Sequence, residues 1–206
     1  GRAAGSWPVT CWVSGMLTVL VIDESRARAG EICAGLALAG YQVAAILAGA
    51  DNLTAEVERL QPDVILIDTD SPSRDTLENL AAMNKDMPRP VVIFTQEDGR
   101  ETIRDAVRAG VSAYVVDGLD PKRIKPIVEV ARARFEDTQA LRRELDEISQ
   151  KLTDRKLVDK AKGVLMKARG LDEEAAYHAM RKLAMERGQT IAKVARDVID
   201  TARLLL

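Results

Sequence analysis

The chain has 206 residues, 47% of them hydrophobic and 30% charged, enough for one full domain plus a smaller one with a buried core. Its net charge of −2 hides two unlike halves: residues 151–206 carry 13 Lys/Arg against 8 Asp/Glu, whereas residues 1–150 carry 17 against 24, so a polyanion is expected to meet the C-terminal end. No run approaches the roughly 18 apolar residues of a membrane span, and Cys11 and Cys33 make neither a disulfide framework nor a metal site, which fits a cytoplasmic protein without a membrane partner.

In chain order, residues 1–15 lack a basic segment followed by an apolar core, so they are expected to be a leader or cloning remnant without a role in the fold. Short apolar runs then follow at Val19–Ile22, Val43–Leu47, Val64–Ile67, Val91–Phe94 and Ala113–Val116. Helical patterns lie between them at Ser25–Ala39, Asn52–Leu60, Arg74–Asn84 and Glu101–Ala109. Strands without a polar face that alternate with helices predict an α/β fold, a parallel sheet covered on both sides. Gly40, Pro62, Pro88, Pro90 and Gly110 punctuate the elements.

Ligands of such a sheet gather at the carboxyl ends of its strands. The first strand ends in Asp23-Glu24, the third in Asp68 and the fourth in Thr95. If these strands are neighbours, three carboxylates and a hydroxyl converge on one crevice, a set of oxygen ligands suited to a hard divalent cation. Acidic residues also end strands as ordinary turn and cap residues.

From Pro121 to Arg169 the sequence runs almost without a helix breaker, and Pro126 falls near the first turn, where proline is tolerated. Ile127, Ala131, Arg134, Thr138, Leu141, Leu145, Ile148 and Leu152 follow at alternating steps of four and three, the spacing of a coiled-coil seam. Only its second half is properly apolar, so Leu141, Leu145, Ile148 and Leu152 are the expected dimer contacts, with Asp137 and Arg142 flanking them.

The tail reads as three short helices around one small core. Leu157, Ala161, Val164, Leu165 and Ala168 give the long helix a last apolar stripe before Gly170. Asp172 can cap a second helix with Ala176, Met180, Leu183 and Ala184 inside, closed by Gly188. Thr190 can cap a third, lined by Ile191, Val194, Ala195, Val198, Ile199 and Ala202. Gly163 in mid-helix predicts a close helix approach. The outward positions are basic: Lys156, Lys160, Lys162, Lys167, Arg169, Arg181, Lys182, Arg187, Lys193 and Arg196. Tyr177 is the tail's one aromatic residue, so phosphate and shape recognition are expected over base stacking. The sole histidine, His178, is expected to have no role.

Residues 17 to about 130 resemble the receiver domain of response regulators, with Asp23-Glu24 as the acidic pair, Asp68 as phosphoacceptor, Pro72 four residues beyond it, Thr95 as switch hydroxyl and Tyr114 as switch aromatic. The resemblance implies a flavodoxin-like (βα)5 fold and a Mg2+ site drawn from Asp23, Glu24, Asp68 and the backbone carbonyl of Asp70. One departure stands out. At the switch position where receivers place a lysine that pairs with the phosphoryl group, this chain has Asp117, followed by Gly118 in place of the usual proline. A negative charge there opposes a phosphoryl group.

The pattern Ala161-Lys162-Gly163-Val164-Leu165-Met166, Glu174-Ala175-Ala176-Tyr177, Arg181, Ala184-Met185, Ile191 and Val194-Ala195 closely resembles the ANTAR domain of antiterminators that bind RNA. Receiver, coiled coil and ANTAR domain in one chain are similar to the NasT/AmiR-type transcription antiterminators, and the run from Ala109 to Leu119 looks most like their nitrate-assimilation member. The domains expected are a receiver at 16–122, a linker helix at 123–151 and an ANTAR bundle at 152–206. What the resemblance implies is a regulator and not an enzyme. It would be a homodimer when active, controlled by a nitrate-sensing (NasS-like) regulatory protein or a histidine kinase, whose two basic bundles hold leader-transcript RNA hairpins and keep a terminator stem from forming. A phosphorylation-activated regulator that binds DNA fits the front half equally well. A free-standing phosphotransfer or enzymatic domain leaves the seam and tail unexplained. The Asp68-Thr69-Asp70 motif follows the third strand, whereas a haloacid-dehalogenase-type phosphatase places its nucleophile after the first.

Overall fold

A computed structural model describes residues 16–24, 28–117 and 120–205. The expected leader, the residues Ser25 to Ala27 at the head of the first predicted helix, and Gly118 lie outside the described residues.

Five strands, β1 (Thr18–Asp23), β2 (Gln42–Leu47), β3 (Val64–Asp68), β4 (Val91–Thr95) and β5 (Ala113–Val116), form one sheet in the order β2-β1-β3-β4-β5. Every pairing is parallel, the consequence of a helix returning the chain between successive strands. The helices are α1 (Ala29–Leu38), α2 (Leu53–Leu60), α3 (Arg74–Asp86) and α4 (Arg100–Arg108). Alternate residues of each strand feed opposite layers. Leu20, Ile22, Ile65, Ile67 and Ile93 pack with Leu53, Val57, Leu80 and Met83 of α2 and α3. Val19, Val21, Leu66, Val92 and Phe94 pack with Ile32 and Leu36 of α1 and with Ile124, Val128 and Ala131 of the fifth helix. Burial on both faces explains why the inner strands read as unbroken apolar runs.

The fifth helix, α5 (Ile124–Arg169), runs for 46 residues, with Pro126 in its first turn as the sequence predicts. Gly35 of α1 gives its start room: a Cβ there would stand 2.8 Å from Ile124 Cδ1 and 3.0 Å from Pro121 Cβ, so a larger residue would require the Ile124 side chain or the Pro121 segment to shift. The base of α5 is fixed further by Tyr41, whose hydroxyl donates to Glu129 Oε1 at 3.0 Å. Burial, together with that carboxylate, pushes the Tyr41 phenol up to about 12.

A boundary between two compact units falls inside α5, between Thr138 and Gln139. In the second unit the end of α5 joins α6 (Glu173–Arg187) and α7 (Ile191–Leu205). Ala161, Met180, Ala184, Val194, Ala195 and Ile199 form their shared core. The caps fall where the sequence puts them. Asp172 accepts from the Ala175 amide at 2.7 Å, Thr190 Oγ1 accepts from the Lys193 amide at 3.2 Å, and Gly188 ends α6 at φ 60°.

Two expectations change. The first positions of the seam, Ile127 and Ala131, are spent on the core of the sheet unit and are not available to a partner helix. Gly163 marks no close approach, since a Cβ added there would meet nothing within 4 Å.

Candidate acidic site and nucleic-acid interface

Register places the acidic residues at one edge. Asp23 lies beside Asp68 across the β1–β3 pairing, Asp68 beside Phe94 across β3–β4, and Thr95 closes β4. Asp23 and Asp68 are fully buried. The others turn elsewhere. Glu24 accepts from the buried hydroxyls of Thr69 at 2.6 Å and Thr76 at 2.9 Å. The Asp70 carboxylate is 82% exposed. Its backbone carbonyl accepts from the Thr95 hydroxyl at 2.9 Å and from the Gln96 amide at 3.3 Å.

The cation at this edge is one that sequence reasoning misses. Arg28 stands at the N-cap of α1 and makes no side-chain cap bond. Its guanidinium reaches into the crevice instead, with Nε 3.0 Å from Asp68 Oδ2 and Nη2 3.5 Å from Asp70 Oδ1. This is an ion pair without hydrogen-bond alignment, so neither oxygen of Asp68 receives a hydrogen bond. Burial raises the Asp68 carboxyl above the usual range, and Arg28 opposes that rise. A basic residue a few positions after an acidic strand end is readable in the sequence; nothing local tells that it turns inward.

Among the described residues, no three histidine, cysteine or carboxylate side chains stand together as a metal-ligand group. The convergence expected at Asp23, Glu24, Asp68 and Asp70 is therefore incomplete. Glu24 is satisfied by two hydroxyls, the Asp70 carbonyl is occupied by Thr95, and Arg28 sits on Asp68. As arranged, these groups do not fit Mg2+.

Of the switch positions, Thr95 is buried and held by Asp70, and Tyr114 donates its hydroxyl to the Glu97 carbonyl at 2.9 Å. Asp117 follows β5 exposed, with a left-handed φ of 74° that aspartate tolerates better than most residues. It offers this edge no cation.

In the second unit the predicted basic residues divide. Lys156, Lys160, Lys167, Arg169, Arg181 and Arg196 are exposed and make no ion pair among the described residues. Lys182 and Lys193 face Glu186 at 3.9 Å and Asp197 at 2.9 Å, exposed pairs of small energy. Lys162 differs. Only 16% exposed, it ties α5 to α6 through Asp159 at 2.8 Å and Glu173 at 2.7 Å, and those bonds raise its ammonium above the ordinary lysine range. Tyr177 is partly exposed and sits edge-on to exposed His178, with ring centres 6.3 Å apart. On α5, Leu141, Leu145, Ile148 and Leu152 are 58%, 57%, 55% and 54% exposed. Every residue from Ala140 to Thr153 is exposed.

Comparison with known proteins agrees with this division. Residues 19–129 match the response regulator receiver domain, and residues 146–199 match the ANTAR domain. The chain is 28% identical to the transcriptional regulatory protein PdtaR of Mycobacterium tuberculosis over 89% of both chains. It is 35% identical to a nitrate regulatory protein of Klebsiella oxytoca over 43% of this chain and 22% of that one. A CheY-like receiver from Methanospirillum hungatei aligns with a TM-score of 0.52 at 22% identity, covering 60% of this chain and 99% of the other, and shares its fold. No helix among the described residues is long and apolar enough to cross a membrane. With a receiver-type parallel sheet in front and a three-helix unit behind, each matched by its own family, the chain belongs to the response regulators that carry a C-terminal ANTAR domain.

Proposed function

We propose that the chain is a transcription antitermination regulator that binds RNA hairpins in leader transcripts through its C-terminal bundle. The observation that carries this reading is that the ANTAR match falls on a three-helix unit whose exposed Lys156, Lys160, Lys167, Arg169, Arg181 and Arg196 make no ion pair among the described residues. Cations free of internal partners are available to phosphates, and counterion release makes such contacts a source of affinity that falls as salt rises. Specificity is assigned to unpaired loop bases, with Tyr177 and His178 the ring side chains on the same helix.

In this reading α5 delivers the bundles in pairs. Residues 123–151 serve as the linker helix, and Leu141, Leu145, Ile148 and Leu152 form a seam in which a second copy covers what one chain leaves exposed. Two bundles then hold two hairpins and keep a terminator stem from closing. Nitrate and nitrite assimilation genes are the proposed targets, with a sensor protein as the controlling partner, on the strength of the similarity to the Klebsiella nitrate regulatory protein. Anisotropy titrations of the full chain against a two-hairpin leader RNA and against duplex DNA, at several salt concentrations, test the first part. Affinity purification of the native protein with and without nitrate tests the second. Equal affinity for duplex DNA, or a partner set that nitrate leaves unchanged, would overturn the corresponding part.

A further inference from the structure

We infer that Arg28 is the resident cation of the acidic edge: its guanidinium takes the place beside the Asp68 carboxylate that a divalent cation needs, so Mg2+ enters only by displacing it. This inference concerns the receiver and is independent of what the tail binds.

Three observations converge. First, the guanidinium lies against the carboxylate a cation would have to approach, with Nε 3.0 Å from Asp68 Oδ2, and is steadied from outside by the exposed Asp70 carboxylate, with Nη2 3.5 Å from its Oδ1. Second, Asp68 is completely buried and its Oδ1 receives no hydrogen bond, so the carboxylate needs a nearby positive charge and finds it in Arg28. Third, the groups that would have to turn toward a metal are held back, Glu24 by the Thr69 and Thr76 hydroxyls and the Asp70 carbonyl by Thr95. Arg28 thus gives Asp68 a positive partner without an ion from solution.

The consequence is a receiver whose phosphoacceptor-type aspartate is shielded twice, from the metal and from an incoming phosphoryl donor. A ligand or partner that withdraws Arg28 would expose Asp68, which gives the site a use even if no kinase acts on it.

Mg2+ binding to the full-length chain can be measured by calorimetry for wild type, Arg28→Gln, Arg28→Ala and Arg28→Lys, with Asp68→Asn locating the site. The two neutral variants should bind Mg2+ about tenfold more tightly than wild type, because a competing unit charge is gone, and the lysine variant should stay near wild type. Arg28 makes no cap bond, so the neutral variants keep α1, which circular dichroism checks. Intact mass after incubation with acetyl phosphate gives a second readout. Transfer of one phosphoryl group to an Asp68 oxygen, with release of acetate, should be slow in wild type and faster in Arg28→Gln. If both neutral variants bind Mg2+ no more tightly than wild type, or if Arg28→Gln is phosphorylated more slowly, Arg28 is not a blocking cation and the inference fails.

Discussion

Replacing Leu145 and Ile148 by glutamine should dissolve the proposed dimer and leave the helix intact. Glutamine is a good helix former, so α5 keeps its local stability. What changes is the apolar surface on offer. Fully burying a leucine or isoleucine is worth about 1.5–3 kcal/mol. These two side chains are 57% and 55% exposed in the single chain, so pairing gains about half of that, roughly 1 kcal/mol each. Two positions on two chains then account for about 4 kcal/mol of association free energy, near a thousandfold in the dissociation constant. Sedimentation equilibrium across a wide concentration range reads that change directly, with circular dichroism confirming unchanged helix content. A dissociation constant within threefold of wild type would show that the stripe does not face a second copy.

Arg181→Glu should weaken RNA binding across sequences and lower the salt dependence by about one phosphate contact, with the dimer untouched; an unchanged salt slope would take Arg181 out of the interface. Lys162→Glu should act differently. It sets a third carboxylate against Asp159 and Glu173, so it should lower the melting temperature of the bundle, and RNA loss without a melting change would mean that Lys162 contacts phosphate directly. Tyr41, at about 12 against an ordinary 10.0, should keep its phenol band unchanged well beyond pH 10 in an absorbance titration. Because the folded value is the higher one, this stabilisation, on the order of 2 kcal/mol, is fully present below pH 10 and is lost as pH rises from there toward 12. Tyr41→Phe should remove both the late band and that alkaline loss of stability. Asp68→Ala should leave hairpin binding unchanged in the absence of a phosphodonor, and a large loss of affinity would tie RNA binding to the receiver site.

Much of the fold could be read in advance because single residues there act through local rules. The apolar runs at Val64–Ile67 and Val91–Phe94 have no polar face, and both sit in strands covered on two sides. Asp172 and Thr190 signal their helices by chemistry that reaches only three residues ahead. Where the sequence pattern misleads, a long-range partner decides. Ile127 and Ala131 keep the 3.5-residue spacing of the seam, but a 3.6-residue stripe differs from it by only about 20° per heptad, too little to show within two turns whether a sheet or a second helix is the partner. Lys162 counted as an outward cation until the turn at Gly170 brought Glu173 back against it. Gly163 suggested close packing, and its surroundings are open. Arg28 is the least legible of all, since its role depends on Asp68, forty residues on. Charge placement across a crevice is a property of the folded sheet, and neither periodicity nor composition registers it.

The central claim is that the C-terminal bundle grips structured RNA. Titrating the full-length chain into a labelled leader RNA with two hairpins, at near-physiological salt and beside duplex DNA of the same length, tests it most directly. Binding should be at least tenfold tighter for the RNA, with affinity falling steeply as salt is raised. Equal affinities for the two nucleic acids, or binding to the RNA that does not respond to salt, would contradict it.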